Sequence, residues 1–303
     1  MRPHHILLAF LILTATCRET SPHIGSEVYL IFDITHDVEA LVFDDDSLDD
    51  WTDIVGDPSL DATDFVADPS AGDGAPYDPA DLDYRIWLGW SDSPPRIFVA
   101  MERVDDSFIN DYSNDLSEAW RHDSVVRVQI DGDHSGGEYS FTSSNCTGCT
   151  EEEIRLRDQS QAQNYQAIIT SAGDAQVGYL GAGSDWVNAP PYAAAGGALD
   201  PASGRAILEF YLTPFDSLVW SDPIASVPSQ LQAGKIIGLD IAVSDFDTEP
   251  GAYHAYHTLT GPAHTWRYAE RMADARLVGN GTICVTEVDT WGRIKASFVD
   301  LLD

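Results

Sequence analysis

Positive charge is scarce in this chain: 16 lysine and arginine residues stand against 50 aspartate and glutamate, a net charge of −34 over 303 residues. The acidic excess is spread along the whole length rather than gathered in a tail. Such a surface repels phosphate backbones, which excludes nucleic acid as a partner. It favours divalent cations and uncharged ligands, and a halophilic or marine surface would carry the same excess. Cysteine and methionine are also rare, at four and three residues. There is no HExxH pair, no Gly-x-Ser-x-Gly elbow and no phosphate-binding glycine loop, so the commonest metalloprotease, esterase and nucleotide-binding motifs are missing. No repeat of fixed period is visible.

No apolar run is long enough to span a bilayer. The longest, residues 6–13, follows a single Arg2 and continues through Thr14-Ala15-Thr16 to Cys17, with no acidic residue before Glu19. This fits the core of a signal peptide with a small-residue cleavage site, so export is expected. Cys17 stands where bacterial lipoproteins are lipidated, although the usual Leu sits four rather than three residues before it. It is a lipidation candidate or a cysteine of a discarded leader, and membrane contact is expected only through such an anchor. Residues 1–16 read as signal peptide, 17–26 as linker, 27–280 as one β domain and 281–303 as a tail with a short amphipathic helix.

Cys146, Cys149 and Cys284 remain after the export segment. In an oxidising compartment Cys146 and Cys149 can close a small loop, or one of them can reach Cys284. No second CxxC supports a metal site, so a structural disulfide or plain thiols is the favoured expectation.

From residue 27 onward the pattern is short and strand-like, broken by Asp, Gly, Pro and Ser. Leu82, Tyr84, Ile86, Leu88 and Trp90 alternate with Asp83, Arg85, Trp87 and Gly89, the period-2 pattern of a strand with one buried face. Ser93-Pro94-Pro95 turns this strand into residues 96–104 as a hairpin. Further strands are expected at 27–34, 40–43, 124–130, 138–141, 165–170, 176–180, 206–212, 235–243 and 275–278. Without helical periods between them they argue for an all-β antiparallel sandwich of jelly-roll type. Residues 57–81, 143–163 and 181–204 read as loops or insertions, with a helical turn inside 151–162.

Chemistry concentrates between Trp120 and Gly137. A lone Trp120 precedes the alternating strand Val126, Val128, Ile130, which runs into Asp131-Gly132-Asp133. Asp131, Asp133 and Glu138 surround glycines there, and Asp245, Asp247 and Glu249 crowd a later turn. Hard oxygen ligands on flexible turns suit calcium, so Asp131, Asp133, Asp245 and Asp247 are the metal candidates; solvated turns of an acidic chain are the alternative.

Five segments taken in order carry a resemblance: Leu48-Asp-Asp-Trp51, the Pro-Pro hairpin, Trp120-x-x-Asp123 with Asp131-Gly-Asp133, residues 206–215 and residues 238–247. Together they resemble the family 9 carbohydrate-binding modules and the wider DOMON-like β-sandwiches over roughly residues 40–278. The resemblance implies an antiparallel sandwich in bacterial exported proteins, with non-catalytic sugar binding and often calcium. Trp120 then corresponds to one wall of the sugar site, and Tyr256 or His257 stands where a second aromatic wall is expected. Sugars present apolar C–H faces that stack on rings, with polar groups fixing the hydroxyls at the edge. The family's Glu six residues after that Trp is Val126 here, so Arg127 and Gln129, on the opposite face of the strand, are the polar candidates.

The leading expectation is an exported carbohydrate-binding protein. Three alternatives stand beside it. A glycoside hydrolase needs two carboxylates about 5 to 10 Å apart, and nothing marks a particular pair. A cell-envelope interaction module would keep the sandwich without the sugar, as Val126 suggests. A haem-binding DOMON-like protein would need axial ligands, for which Met101 or Met272 with a histidine are the only candidates.

Overall fold

The computed structural model describes residues 28–279, apart from 44, 113–114, 124–125, 171–172, 182–184 and 201. The leader, Cys17, the linker, Cys284 and the C-terminal helix lie outside the described residues. The first half contributes β1 (Val28–Asp33), β2 (Leu60–Asp61), β3 (Val66–Ala67), β4 (Leu82–Asp92), β5 (Pro95–Asp105), β6 (Val126–Asp131) and β7 (Gln163–Ile169). The second half adds β8 (Ala175–Tyr179), β9 (Ala193–Asp200), β10 (Arg205–Leu212), β11 (Phe215–Ser217), β12 (Val227–Pro228), β13 (Ile236–Asp245), β14 (Ala255–Thr258) and β15 (Ala273–Val278). Two short helices, α1 (Asp49–Ile54) and α2 (Glu151–Arg157), lie in the connections. The fold is all-β, as the patterning predicts.

Thirteen strands share one sheet whose main path runs β8-β7-β6-β13-β15-β1-β4-β5-β10-β9. The two ends of that path, β8 and β9, approach each other, so the sheet is rolled nearly into a barrel rather than split into two separate layers. The pairing is not wholly antiparallel either. β1 runs parallel to both β15 and β4, because the first strand of the domain is inserted between late and early strands.

The roll encloses the main core. Val126, Val128 and Ile130 of β6 meet Leu88, Tyr165, Leu208, Phe210, Leu239 and Ile241 there, all buried. Alternation along β4 sends Tyr84, Ile86, Leu88 and Trp90 into this core, while Trp87 joins a second one on the outer face. There Ile34, Leu48 and Trp51 pack on Trp87, Phe98 and Ile207. The Trp51 indole N–H donates to Glu209 at 2.7 Å, with both residues fully buried. The sheet is therefore covered on both faces where residues 34–55 cross β4, β5 and β10.

Three local expectations are corrected. Residues 40–43 form no strand: a 3-10 turn, Val38–Ala40, leads into irregular backbone that lies on β9. Residues 193–200, expected inside a loop, form the strand β9, paired with β10 along its length. Its Ala/Gly sequence is needed for closeness, since a Cβ on Gly196 would stand 2.6 Å from the Phe43 carbonyl oxygen. At 138–141 there is only an isolated bridge, Glu138 to Tyr268.

Candidate functional site

The outer face of β7, β6 and β13 is polar, and strand register decides which groups meet there. Asn164, Gln129 and Asp240 form one cross-strand row, and Gln166, Arg127 and Ala242 the next. Apart from half-buried Arg127 these side chains are buried. The Gln129 amide N–H reaches Asn164 at 3.4 Å, and Gln166 donates to the Leu116 carbonyl. The carbonyl oxygens of both glutamines lack hydrogen-bond partners. Asp240 accepts the Thr265 hydroxyl through one oxygen, while the other has no well-formed hydrogen bond. Burial, the largest cause, pushes the Asp240 carboxyl up to about 7, against the opposing hydrogen bond from Thr265.

Aromatic rings border this floor on the Leu116 side. The 3-10 turn Leu116–Arg121, capped by the Asp115 carboxylate on the Ser117 N–H, presents Trp120 half-buried. Its ring lies 6.1 Å from Tyr253, which stacks on Phe246 at 4.7 Å and meets Tyr256 edge-on at 5.4 Å. The Arg127 guanidinium stands 5.7 Å from the Tyr256 ring centre and makes only long contacts, 3.4 Å to the Tyr256 hydroxyl and 3.5 Å to that of Tyr253. Hydrogen bonds that long are weak, so its N–H groups retain donor capacity. Trp266, 45% exposed, follows directly on Thr265, whose hydroxyl bonds Asp240.

A second cluster gathers where β5 and β13 end. Asp105, Asp123 and Asp245 are buried around one guanidinium, Arg103, which pairs with Asp105, approaches Asp123 at 3.6 Å and donates to the Ser244 carbonyl. Asp123 is also committed, accepting the backbone N–H groups of Ile109 and Phe246. Asp245 is 1% exposed, yet neither of its carboxylate oxygens has a partner. Asp81, Asp106 and Asp247 close the outer side, and the His254 ring bridges Asp81 at 3.2 Å and Asp247 at 3.3 Å. Burial raises Asp123 to about 8 against the pull of Arg103; burial and the neighbouring Asp105 raise Asp245 to about 7. Burial works against a charged His254, but Asp247, Asp81 and Asp245 outweigh it and hold the imidazole above its ordinary value.

No protein-family model matches the chain. No curated protein matches it either. Among solved structures, a family 9 carbohydrate-binding module from Caldicellulosiruptor kristjanssonii in complex with cellotriose superposes with a TM-score of 0.50 at 12% identity, covering 86% of this chain and all of that one. The fold is that of a family 9 carbohydrate-binding module. Lower on the scale are a family 9 module from the same organism in complex with glucose (TM-score 0.42, 13% identity, 67% of this chain and 81% of that one) and a Bacteroides uniformis protein proposed to bind carbohydrate (0.39, 8% identity, 83% and 99%).

Within this family 9 fold the sequence-selected residues separate. Trp120, Arg127 and Tyr256 come together, with Gln129 in the floor beneath. His257 points to the other face of β14, buried against the Tyr84 hydroxyl at 3.2 Å and the Ala75 carbonyl at 3.2 Å, because Tyr256 and His257 are adjacent on a strand. Val126 is fully buried in the main core, so no acceptor stands at that position. The four aspartates selected as metal ligands do not share a site: Asp131 pairs with Gly238 at one end of β13, and Asp245 closes the other. Asp131 caps its own turn through the Gly136 N–H at 2.7 Å, and Asp133 accepts the Ser135 N–H. Cys146 and Cys149 are joined by a disulfide just before α2. Sequence reasoning passed over Asn164, Gln166 and Trp266, and, around Asp245, Asp81, Asp105, Asp106 and Arg103; Asp123 and Asp240 entered only as part of the family pattern. The alternation of Asn164 and Gln166 with Tyr165 and Ala167 was a usable signal; the partners across the sheet left none.

Proposed function

We propose that this chain is an exported, non-catalytic sugar-binding protein whose ligand stacks on Trp120 and Tyr253 and is hydrogen-bonded by Arg127 and Tyr256. What carries this reading is the union of half-buried rings with an under-used guanidinium above a sheet face whose amides keep unspent acceptors. Stacking suits the C–H face of a pyranose, and the polar groups suit its hydroxyls. A neutral ligand also suits a chain of net charge −34, which repels anionic ones. Trp266, exposed beside the Asp240 end of the floor, is the ring placed to meet a further sugar unit. The glycan in the superposed module, cellotriose, makes β-glucans the first ligands to try.

The apolar run before Cys17 and the Cys146–Cys149 disulfide support passage into an oxidising compartment, with lipid attachment at Cys17 as the means of retention. Calcium is assigned to the Asp245–Asp247 turn and not to Asp131–Asp133. The carboxylate oxygens of Asp245 are buried and unpartnered, whereas the Asp131 carboxylate is engaged by its own turn. Asp81 lies within reach of Asp245 on one side and of Asp106 and Asp247 on the other, and such oxygen donors match the hard-ligand preference of calcium.

Titration calorimetry against a glycan panel that includes cellotriose and glucose tests the sugar reading. Binding to at least one glycan is expected, weakened about tenfold or more by Trp120→Ala and by Arg127→Ala, with unfolding curves showing that both variants remain folded. A panel without any ligand, or affinity unchanged in both variants, sinks it.

A further inference from the structure

Trp266 is an exposed ring on a firmly held stretch of backbone. Before it, the Thr265 hydroxyl bonds Asp240 in the floor, and the Thr265 carbonyl accepts the Tyr139 hydroxyl at 2.8 Å. After it, Arg267 donates through Nε to Glu138 at 2.6 Å, and the Arg267 carbonyl accepts the Tyr139 N–H at 3.0 Å. The Ala269 N–H adds a bond to the Gly137 carbonyl at 2.8 Å. Tyr139 itself is fully buried in a small core with Ala162, Ala269 and Met272. The indole has no such support: its one ring neighbour among the described residues is His264, edge-on at 6.2 Å, and it stays 45% exposed. Both of its chain neighbours are pinned while the ring is left open.

The pin on Arg267 is built by residues 138–149. One oxygen of the Glu138 carboxylate accepts both from Arg267 and from the Asn145 amide at 3.1 Å. Asn145 also donates to the Ser140 carbonyl at 2.8 Å and accepts the Thr142 N–H at 2.6 Å. The Cys146 N–H returns to the Thr142 carbonyl at 3.0 Å, and Cys146 is then joined to Cys149 by the disulfide. A disulfide whose cysteines are three residues apart closes a loop too short to remove much unfolded-state entropy. What it fixes is local: the turn that carries Asn145. We propose that residues 138–149 are a brace for Trp266, in which Asn145 and Glu138 are positioning residues that set a second sugar subsite and so favour glycans of more than one unit. A ring already held in place loses less freedom on stacking, which raises affinity without a new contact. The brace stands without any ligand, and only the selectivity rests on the sugar-binding reading.

The brace is tested first without glycan. With 5-fluorotryptophan incorporated throughout the full chain, the fluorine resonance missing from Trp266→Phe is that of Trp266, and the one missing from Trp120→Phe is that of Trp120. The Trp266 resonance should shift or sharpen in Asn145→Ala, in Asn145→Asp, which cannot donate to Glu138, and in the double variant Cys146→Ser, Cys149→Ser. The Trp120 resonance should stay in place. Both Asn145 variants keep the disulfide and decide the matter if the double variant does not fold. A Trp266 resonance unmoved in the Asn145 variants, or a Trp120 resonance that moves as much, overturns the brace. Calorimetry with cellotriose and glucose then reads the selectivity. Cellotriose should bind more tightly than glucose, and Trp266→Ala and Asn145→Ala should each weaken cellotriose alone, by about threefold or more, the order expected of one stacked ring. Equal losses for both sugars, or cellotriose affinity unchanged in either variant, overturns the selectivity. If neither sugar binds, the sugar-binding reading fails and the fluorine signal by itself decides the brace.

Discussion

Asp240 sits in the polar floor with its carboxyl raised to about 7, mainly by burial. Its unfolded-state value lies near 4, so between about pH 4 and 7 the folded chain keeps a proton that the unfolded chain releases. Stability then falls as pH rises through that window, and the loss is complete above it. Asp240→Asn should remove this contribution. The stability of the variant relative to the natural chain should improve by a few kcal/mol between pH 4.5 and pH 8, read by urea unfolding at both values; a pH-independent difference would refute it. Arg127 and Gln129 were legible in the sequence because one strand with period 2 reveals both of its faces, and Trp120 because a lone indole stands just before that strand. Asn164 and Gln166 showed only as an alternation on their own strand; that they meet Gln129, Arg127 and Asp240 was not legible, because register between strands is set by turns and core packing and leaves no mark within a single strand. The displaced acceptor at Val126 was legible for the same reason: a valine alternating with Val128 and Ile130 belongs to the core, and it is buried there.

Among the elements, α1 is the least expected. Leu48-Asp-Asp-Trp51 was read as a family mark, yet its physical role is to drop Trp51, fully buried, onto Trp87, Phe98 and Ile207 outside the sheet. A helix of six residues has little stability of its own, so that side chain and its bond to Glu209 hold it in place. Trp51→Ala should cost about 3–5 kcal/mol, the usual range for a large aromatic truncated in a core, with a lower urea midpoint as the measure. A loss under 1 kcal/mol would mean that residues 34–55 are not anchored this way. The strand β9 was misread for a related reason. Its alanines and glycines look like loop composition, but small residues let the 41–43 backbone lie on the sheet, and that neighbour cannot be inferred from 193–200 alone.

At the scale of the whole molecule, the class was legible because about a dozen short alternating segments leave few options besides β architecture. The rolled, nearly closed sheet was not, since closure depends on how far strands twist and on which edges meet. The charge of −34 has its own consequence. Self-repulsion of the folded surface is screened within about 10 Å at 0.1 M salt, so raising sodium chloride from about 10 mM to about 500 mM should raise the unfolding midpoint, by roughly 2–4 °C for each kcal/mol of repulsion relieved. Scanning calorimetry would settle this, and an unchanged midpoint would mean that the acids are already locally compensated.

The position of β1 has a mechanical consequence. It lies between β15 and β4 and runs parallel to both, so Val28 stands beside Asp274 and Phe32 beside Val278. Tension applied through the segments leading into β1 and out of β15 would pull these two neighbours lengthwise in opposite directions. Their hydrogen bonds would then bear the load together, in shear, rather than opening one after another like a zipper. At this seam the fold is built to resist being drawn apart lengthwise.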